Sequence, residues 1–114
     1  MAAAHSIFIA GTARTPMGGF QGELSGLTAP QLGAAAIRAA VSRAGIKPEQ
    51  IDEAYMGCVL PAGLGQAPAR QASIHSGLPN TVPCTTVNKV CGSGMKAVML
   101  ACDQLGQDGA RIVV

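Results

Sequence analysis

The stretch after Gly94 predicts a helix with apolar side chains on every side. These residues are Met95, Ala97, Val98, Met99, Leu100, Ala101, Cys102 and Leu105. They do not form a single stripe, so no face of such a helix suits contact with water. The helix must therefore be enclosed by other layers of structure, which is difficult within the two packed layers that 114 residues can form. We expect sheet or helix from outside these residues to cover it.

The rest of the chain alternates between strand-like and helix-like segments, which predicts an α/β architecture. Apolar or β-branched runs predict four strands, the last of them only begun: residues 6–10, 52–60, 82–90 and 111–114. A helix is predicted between Thr28 and Gly45, because Thr28 and Gln31 have capping-box spacing and a glycine suits the position after a helix. Its apolar residues form one stripe, so it should pack on one side. A shorter helix is predicted at residues 68–76.

The composition also favours burial against neighbouring layers. The chain has 20 alanines and 15 glycines among its 114 residues, and 48% of its residues are hydrophobic. Small side chains let helices and sheets approach closely, but each buries little apolar area, so they build a large core poorly. The predicted fourth strand has no turn or helix after it. We therefore expect these residues to be the front of a longer protein.

Charge and hydropathy argue against several classes of function. A net charge of +2 without any run of lysine and arginine is too weak for nucleic-acid binding, and 3% aromatic residues leave few rings on which bases could stack. The apolar runs are too short for a membrane span. Residues 1–10 lack the basic and hydrophobic regions of a signal peptide, so the predicted location is cytoplasmic.

The four cysteines are predicted to be reduced thiols, because cytoplasmic proteins rarely hold disulfides. Their spacing contains no C-x-x-C pair, so a metal site is not expected. Three of them fall within predicted strands or the apolar helix, where a free cysteine usually serves as a small core residue: Cys58, Cys84 and Cys102.

The fourth cysteine, Cys91, lies where a predicted strand runs into the apolar helix through the sequence C-G-S-G. A sharp strand-to-helix turn can expose a nucleophile, and glycines permit the dihedral angles that such a turn needs. The N–H groups at the start of the helix favour a thiolate and could hold an oxyanion. Lys89 and Lys96 flank the cysteine and could either stabilise the thiolate or face solvent. The residues alone leave two interpretations of Cys91 open, a reactive thiol or a small buried residue at a tight turn.

The segment from Asn88 to Ala97, N-K-V-C-G-S-G-M-K-A, resembles the acyl-cysteine motif of the thiolases. Two further segments resemble thiolase motifs in the same order. They are T-A-R-T-P-M-G at residues 12–18, and M-G-C-V-L followed by G-L-G-Q and P-A-R-Q within residues 56–71. Several spaced motifs in one order are far more specific than any single motif, and the resemblance extends over nearly the whole chain.

The resemblance implies the layered αβαβα fold of thiolases, with residues 1–114 forming the first part of the N-terminal domain. It implies acetyl-CoA C-acetyltransferase activity: Cys91 accepts the acetyl group of one acetyl-CoA, and a second acetyl-CoA attacks it to give acetoacetyl-CoA and CoA. No metal or redox cofactor enters this reaction. The partners implied are acetyl-CoA and CoA, together with further copies of the chain in a homodimer or homotetramer.

Other features leave alternatives to this assignment. Thiolases also use a second cysteine and histidines from later motifs, which neither His5 nor His75 matches, and His75 is expected at the surface. Arg70 and Gln71 are expected to be structural or interfacial. A 3-ketoacyl-CoA thiolase of broader chain length is the nearest alternative, although C-G-S-G is more typical of the biosynthetic branch. A non-catalytic thiolase-like fragment and a redox or metal-binding thiol module are the alternatives from other classes.

Overall fold

The computed structural model describes residues 6–107 and 109–114, so His5 lies outside the described residues. The elements in chain order are α1 (Ala29–Ala44), a 3₁₀ turn (Pro48–Gln50), β1 (Ala54–Gly57), α2 (Pro68–Ser76), β2 (Cys84–Val87) and α3 (Ser93–Gly106). None of the helices in this part of the chain is both long and apolar enough to cross a lipid bilayer.

Local sequence determines where α1 begins and ends. The Gln31 backbone N–H donates to Thr28 Oγ1 at 3.3 Å, and the Thr28 backbone N–H donates to the Gln31 side-chain oxygen at 2.8 Å. Gly45 ends the helix in the left-handed conformation with a φ of 69°, which glycine adopts at little cost. The predicted helix, its capping box and its terminal glycine are confirmed.

The sheet separates two layers of helix. β1 and β2 pair in parallel, from Ala54 beside Cys84 to Gly57 beside Val87. Because alternate residues of a strand point to opposite faces, Ala54 and Gly57 face different layers. Gly57 faces the first turn of α3, whereas Ala54 joins the core formed with α1 and α2. That core comprises Ile37, Val41, Ile51, Ala54, Ala72, Leu78 and Val82. The predicted α/β class is confirmed, and in the structure helices lie on both faces of a parallel sheet.

The last residues of the chain run beside β1, on the edge opposite β2. The Asp52 N–H donates to the Ile112 carbonyl at 2.9 Å, and the Tyr55 N–H donates to the Val114 carbonyl at 2.8 Å. The Val114 N–H donates in return to the Glu53 carbonyl at 3.0 Å, which completes a parallel bridge. The predicted fourth strand is therefore present as a short segment that forms one parallel bridge with the residue before β1.

The other predicted strands differ from the structure. Residues 6–10 form no strand, and Phe8 and Ile9 are 82% and 81% exposed. An extended apolar run becomes a strand only where a neighbour satisfies its backbone N–H and C=O groups, and no described residue pairs with this segment. The strands predicted at residues 52–60 and 82–90 shorten to β1 and β2, because the two segments pair regularly only from Ala54 beside Cys84 to Gly57 beside Val87.

One side of α3 packs on the sheet, and the rest of the helix is exposed. Its buried residues are Ser93 and Ala97, whereas Met95 and Val98 are 73% and 64% exposed. Burial on every side, which the sequence predicts, does not occur within the described residues, because the two short strands supply the main contacts of this helix. Cys102 is likewise exposed, so its predicted packing role has no partner within the described residues and stays a prediction.

Candidate active site

Cys91 lies in the connection between β2 and α3, which we call the Cys91 turn (residues 88–92). β2 ends at Val87 and α3 begins at Ser93, so the cysteine is two residues from the helix. The predicted strand-to-helix placement is confirmed. Cys91 forms no disulfide and is exposed among the described residues.

Val90, the residue before Cys91, has a strained backbone. Its φ is 47°, in the left-handed region, although its side chain is β-branched and 66% exposed. This conformation costs a non-glycine residue about 1–2 kcal/mol. Such strain persists only where the surrounding structure over-determines the backbone. The Cys91 turn is therefore held by its neighbours and not by the preference of its own residues.

The hydroxyl of Ser93 supplies part of that restraint. Ser93 is 2% exposed, its Oγ accepts the Lys89 backbone N–H at 2.8 Å, and the same Oγ donates to the Val90 carbonyl at 2.6 Å. The Ser93 backbone N–H also donates to the Val90 carbonyl at 3.1 Å. One buried serine thus bonds the backbone on both sides of the strained residue.

Asn88 restrains the other end of the turn. Its Oδ1 accepts the Val90 backbone N–H at 3.0 Å, a local side-chain-to-backbone bond of the kind that asparagine favours in turns. Its Nδ2 donates to the Val59 carbonyl at 3.2 Å. Asn88 therefore connects the Cys91 turn to the loop that follows β1.

Gly57 allows α3 to begin close to the sheet. A Cβ added at Gly57 would lie 2.7 Å from both the Gly94 backbone nitrogen and the Ser93 carbonyl carbon. Both atoms belong to the backbone and cannot move aside independently. The absence of a side chain at Gly57 therefore sets the position of the first turn of α3, and with it the position of the Cys91 turn.

The start of α3 presents backbone donors near the thiol. No side chain caps the helix, and the Lys96 N–H donates to the Gly92 carbonyl at 2.9 Å. Within residues 6–107 and 109–114, no acceptor bonds the Cys91 backbone N–H. Helix N-termini favour negative charge, and a free N–H can stabilise an oxyanion. An exposed thiol beside such a donor is suited to attack on an acyl group.

The remaining cysteines and His75 have no part in this arrangement. Cys58 and Cys84 are half-buried, and Cys84 Sγ donates to the Val82 carbonyl at 3.3 Å, in agreement with their predicted packing roles. His75 is exposed on α2, as predicted. In the part of the chain that the structure describes, no group of three or more metal-ligating side chains occurs.

Arg70 and Gln71 have structural roles, one of the two possibilities predicted for them. Each donates to two backbone carbonyl groups of nearby loops and so ties those loops to α2. The acceptors are the carbonyls of Asn80 and Val82 for Arg70, and of Leu64 and Gln66 for Gln71.

Sequence reasoning alone missed three residues that shape the Cys91 turn: Gly57, Asn88 and Ser93. Asn88 and Ser93 carry a recognisable signal, because Asn and Ser near a turn or a helix start often bond local backbone groups. Gly57 carries no such signal. Its close approach to α3 joins two segments far apart in the chain.

Comparison with known proteins places these features in a family. The family model for the thiolase N-terminal domain matches residues 7–114. Over 108 residues the chain is 56% identical to an acetyl-CoA acetyltransferase of Cupriavidus necator, covering 95% of this chain and 28% of that protein. Over 99 residues it is 59% identical to acetyl-CoA acetyltransferase 2 of Arabidopsis thaliana, covering 87% of this chain and 25% of that protein.

A solved structure gives the same result for the fold. The acetyl-CoA acetyltransferase of Syntrophomonas wolfei superposes with a TM-score of 0.87 at 37% sequence identity, covering 92% of this chain and 26% of that chain. The described residues therefore have a thiolase-like fold. The chain spans about a quarter of the length of the relatives that it matches.

Proposed function

The chain belongs to the thiolase family, and from that membership we propose that its protein is an acetyl-CoA C-acetyltransferase with Cys91 as the acetyl-accepting nucleophile. The observation that carries the proposal is the position of Cys91, exposed at the start of α3 in a turn that its neighbours hold in a strained conformation. Relatives that are more than half identical to the chain carry the name acetyl-CoA acetyltransferase.

The proposed reaction has two half-reactions. In the first, the Cys91 thiolate attacks the carbonyl carbon of acetyl-CoA, and a bond forms between Sγ and that carbon. The thioester bond then breaks, and CoA leaves with its electron pair and takes up a proton. In the second, another acetyl-CoA loses a proton from its methyl group. The resulting carbanion attacks the acetyl-cysteine, which forms acetoacetyl-CoA and releases the Cys91 thiolate. Such a sequence follows ping-pong kinetics.

This chain's own residues would act mainly in the first half-reaction. At the start of α3, the Cys91 backbone N–H is free to donate to the oxyanion that forms when the acetyl carbonyl is attacked. The proton transfers of the second half-reaction are assigned to no residue among these 114.

The proposal extends to the rest of the predicted biochemistry. Its substrates are acetyl-CoA and CoA, it requires no metal or redox cofactor, and the protein works as a homodimer or homotetramer in the cytoplasm. A 3-ketoacyl-CoA thiolase of broader chain length is the second candidate.

The experiment is thiolysis of acetoacetyl-CoA by CoA, followed in the intact protein that carries this sequence. We expect parallel lines in double-reciprocal plots and a kcat/KM that falls steeply as the ketoacyl chain lengthens. A matched pair, Cys91→Ser and Cys58→Ser, should separate the nucleophile from a packing cysteine. Equal rates across long chains would favour the second candidate, and full activity in Cys91→Ser would contradict the proposal.

A further inference from the structure

Ser93 makes a set of hydrogen bonds that helix formation does not explain. It is the first residue of α3, and no side chain caps that helix. A capping serine would accept an N–H from the first turn of the helix, but Ser93 Oγ accepts the N–H of Lys89, which lies before the helix. The serine therefore serves the Cys91 turn, although it belongs to α3.

These bonds determine which way the peptide group between Val90 and Cys91 faces. The Val90 carbonyl accepts both the Ser93 hydroxyl at 2.6 Å and the Ser93 backbone N–H at 3.1 Å. A trans peptide is planar, so its C=O and N–H point in opposite directions. Holding the Val90 carbonyl toward Ser93 thus turns the Cys91 N–H away from Ser93, on the side where it has no acceptor among the described residues.

We propose that Ser93 is a positioning residue that aims the Cys91 backbone N–H at the oxyanion of the acetyl-transfer step. The inference rests on the proposed function, because only attack on a carbonyl group forms an oxyanion. Ser93 touches no reacting atom itself. Its bonds to the Lys89 N–H and the Val90 carbonyl hold the backbone on both sides of Val90, whose φ is 47°, and so keep the Val90–Cys91 peptide in an orientation that leaves the donor free.

Two reactions of the same thiol separate this role from a purely structural one. Alkylation of Cys91 by iodoacetamide displaces iodide from carbon and forms no oxyanion, whereas acetylation by acetyl-CoA forms one. If the Cys91 N–H is no longer oriented toward the oxyanion, acetylation should therefore slow while alkylation keeps its rate. General damage to the fold should slow both reactions or reduce the number of thiols that react.

The variants are Ser93→Ala, which removes the hydroxyl, and Ser93→Thr, which keeps it. Ser76→Ala is the matched control, since Ser76 is also a buried helical serine whose hydroxyl donates to the carbonyl three residues earlier, at 2.7 Å, but in α2. The intact protein is used throughout. Both rates are expressed per reactive Cys91, so that any unfolded fraction does not enter the comparison.

We expect Ser93→Ala to lower the acetylation rate about 10- to 100-fold, because complete removal of an oxyanion donor costs about 100- to 1,000-fold. The KM for acetyl-CoA and the alkylation rate should stay at the wild-type values, and Ser93→Thr and Ser76→Ala should acetylate as the wild type does. If Ser93→Ala does not fold, Ser93→Cys decides, because a thiol is a weaker hydrogen-bond donor and acceptor than a hydroxyl. Slower acetylation with an unchanged alkylation rate of Cys91 supports the role, and an unchanged ratio of the two rates overturns it.

The outcomes separate this inference from the proposed function. If the wild-type protein reacts with iodoacetamide but not with acetyl-CoA, the proposed function fails and the inference falls with it. If the wild type is acetylated and Ser93→Ala is acetylated equally fast, only the inference is overturned. The inference is also overturned if acetylation and alkylation slow together in Ser93→Ala.

Discussion

Replacing Gly57 with alanine would place a methyl group against the first turn of α3. The added Cβ would lie 2.7 Å from backbone atoms of Ser93 and Gly94, whereas ordinary contacts begin at 3.4 Å. Either α3 or β1 must then move by about 0.7 Å. Overpacking of this kind costs about 1–3 kcal/mol of folding free energy, so we expect the free energy of unfolding to fall by that amount.

The same displacement should impair the reaction, because the Cys91 turn is joined directly to α3. A misplacement of about 1 Å at an active site costs up to about 100-fold in rate, so we expect acetylation of Cys91 in Gly57→Ala to slow about 10- to 100-fold. Rates of acetyl-CoA turnover and denaturant unfolding curves measure the two effects. Gly106→Ala is the control, since Gly106 ends the same helix and a Cβ there would have open space. Wild-type stability and rate in Gly57→Ala would refute the argument.

Two further predictions concern stability. Ser73 is fully buried on α2, and its hydroxyl has no hydrogen-bond partner among the described residues. Because an unpaired buried hydroxyl is destabilising, Ser73→Ala should raise the free energy of unfolding by about 1 kcal/mol. A decrease would show that the hydroxyl has a hydrogen-bond partner in the folded protein. The backbone N–H groups of Arg111 and Ile112 donate to Asp52 and hold the pKa of its carboxyl group below the usual 3.8. A lowered pKa stabilises the folded state at pH values above the pKa of the group in the unfolded chain. This contribution is lost as the pH falls through the pKa of the group in the folded state. Unfolding curves between pH 6 and pH 3 should therefore show a smaller loss of stability in Asp52→Asn than in the wild type, and equal losses would contradict the assignment.

The two helices with local signals were the most predictable parts of the fold. α1 follows from its capping box and from Gly45, and α2 has the predicted bounds of residues 68–76 because proline and glycine flank it. The strands were less predictable because strand formation depends on a partner. Residues 6–10 have a strand-like pattern but no pairing segment among the described residues.

The position of the candidate site was predictable from the sequence, but the backbone conformation and packing that hold it were not. The C-G-S-G sequence located the Cys91 turn between a strand and a helix. The left-handed Val90 could not be predicted, since a valine favours extended backbone, and here bonds from Asn88 and Ser93 help to hold it otherwise. The close approach of Gly57 to α3 arises from tertiary packing, which no local pattern encodes.

The central claim, that Cys91 accepts the acetyl group, is tested most directly by the intact mass of the purified protein before and after brief incubation with acetyl-CoA. The account predicts a gain of one acetyl group per chain in the wild type, located by peptide mapping on Cys91, and no gain in Cys91→Ala. A wild-type protein that stays unmodified, or a Cys91→Ala variant that is still acetylated, would contradict it.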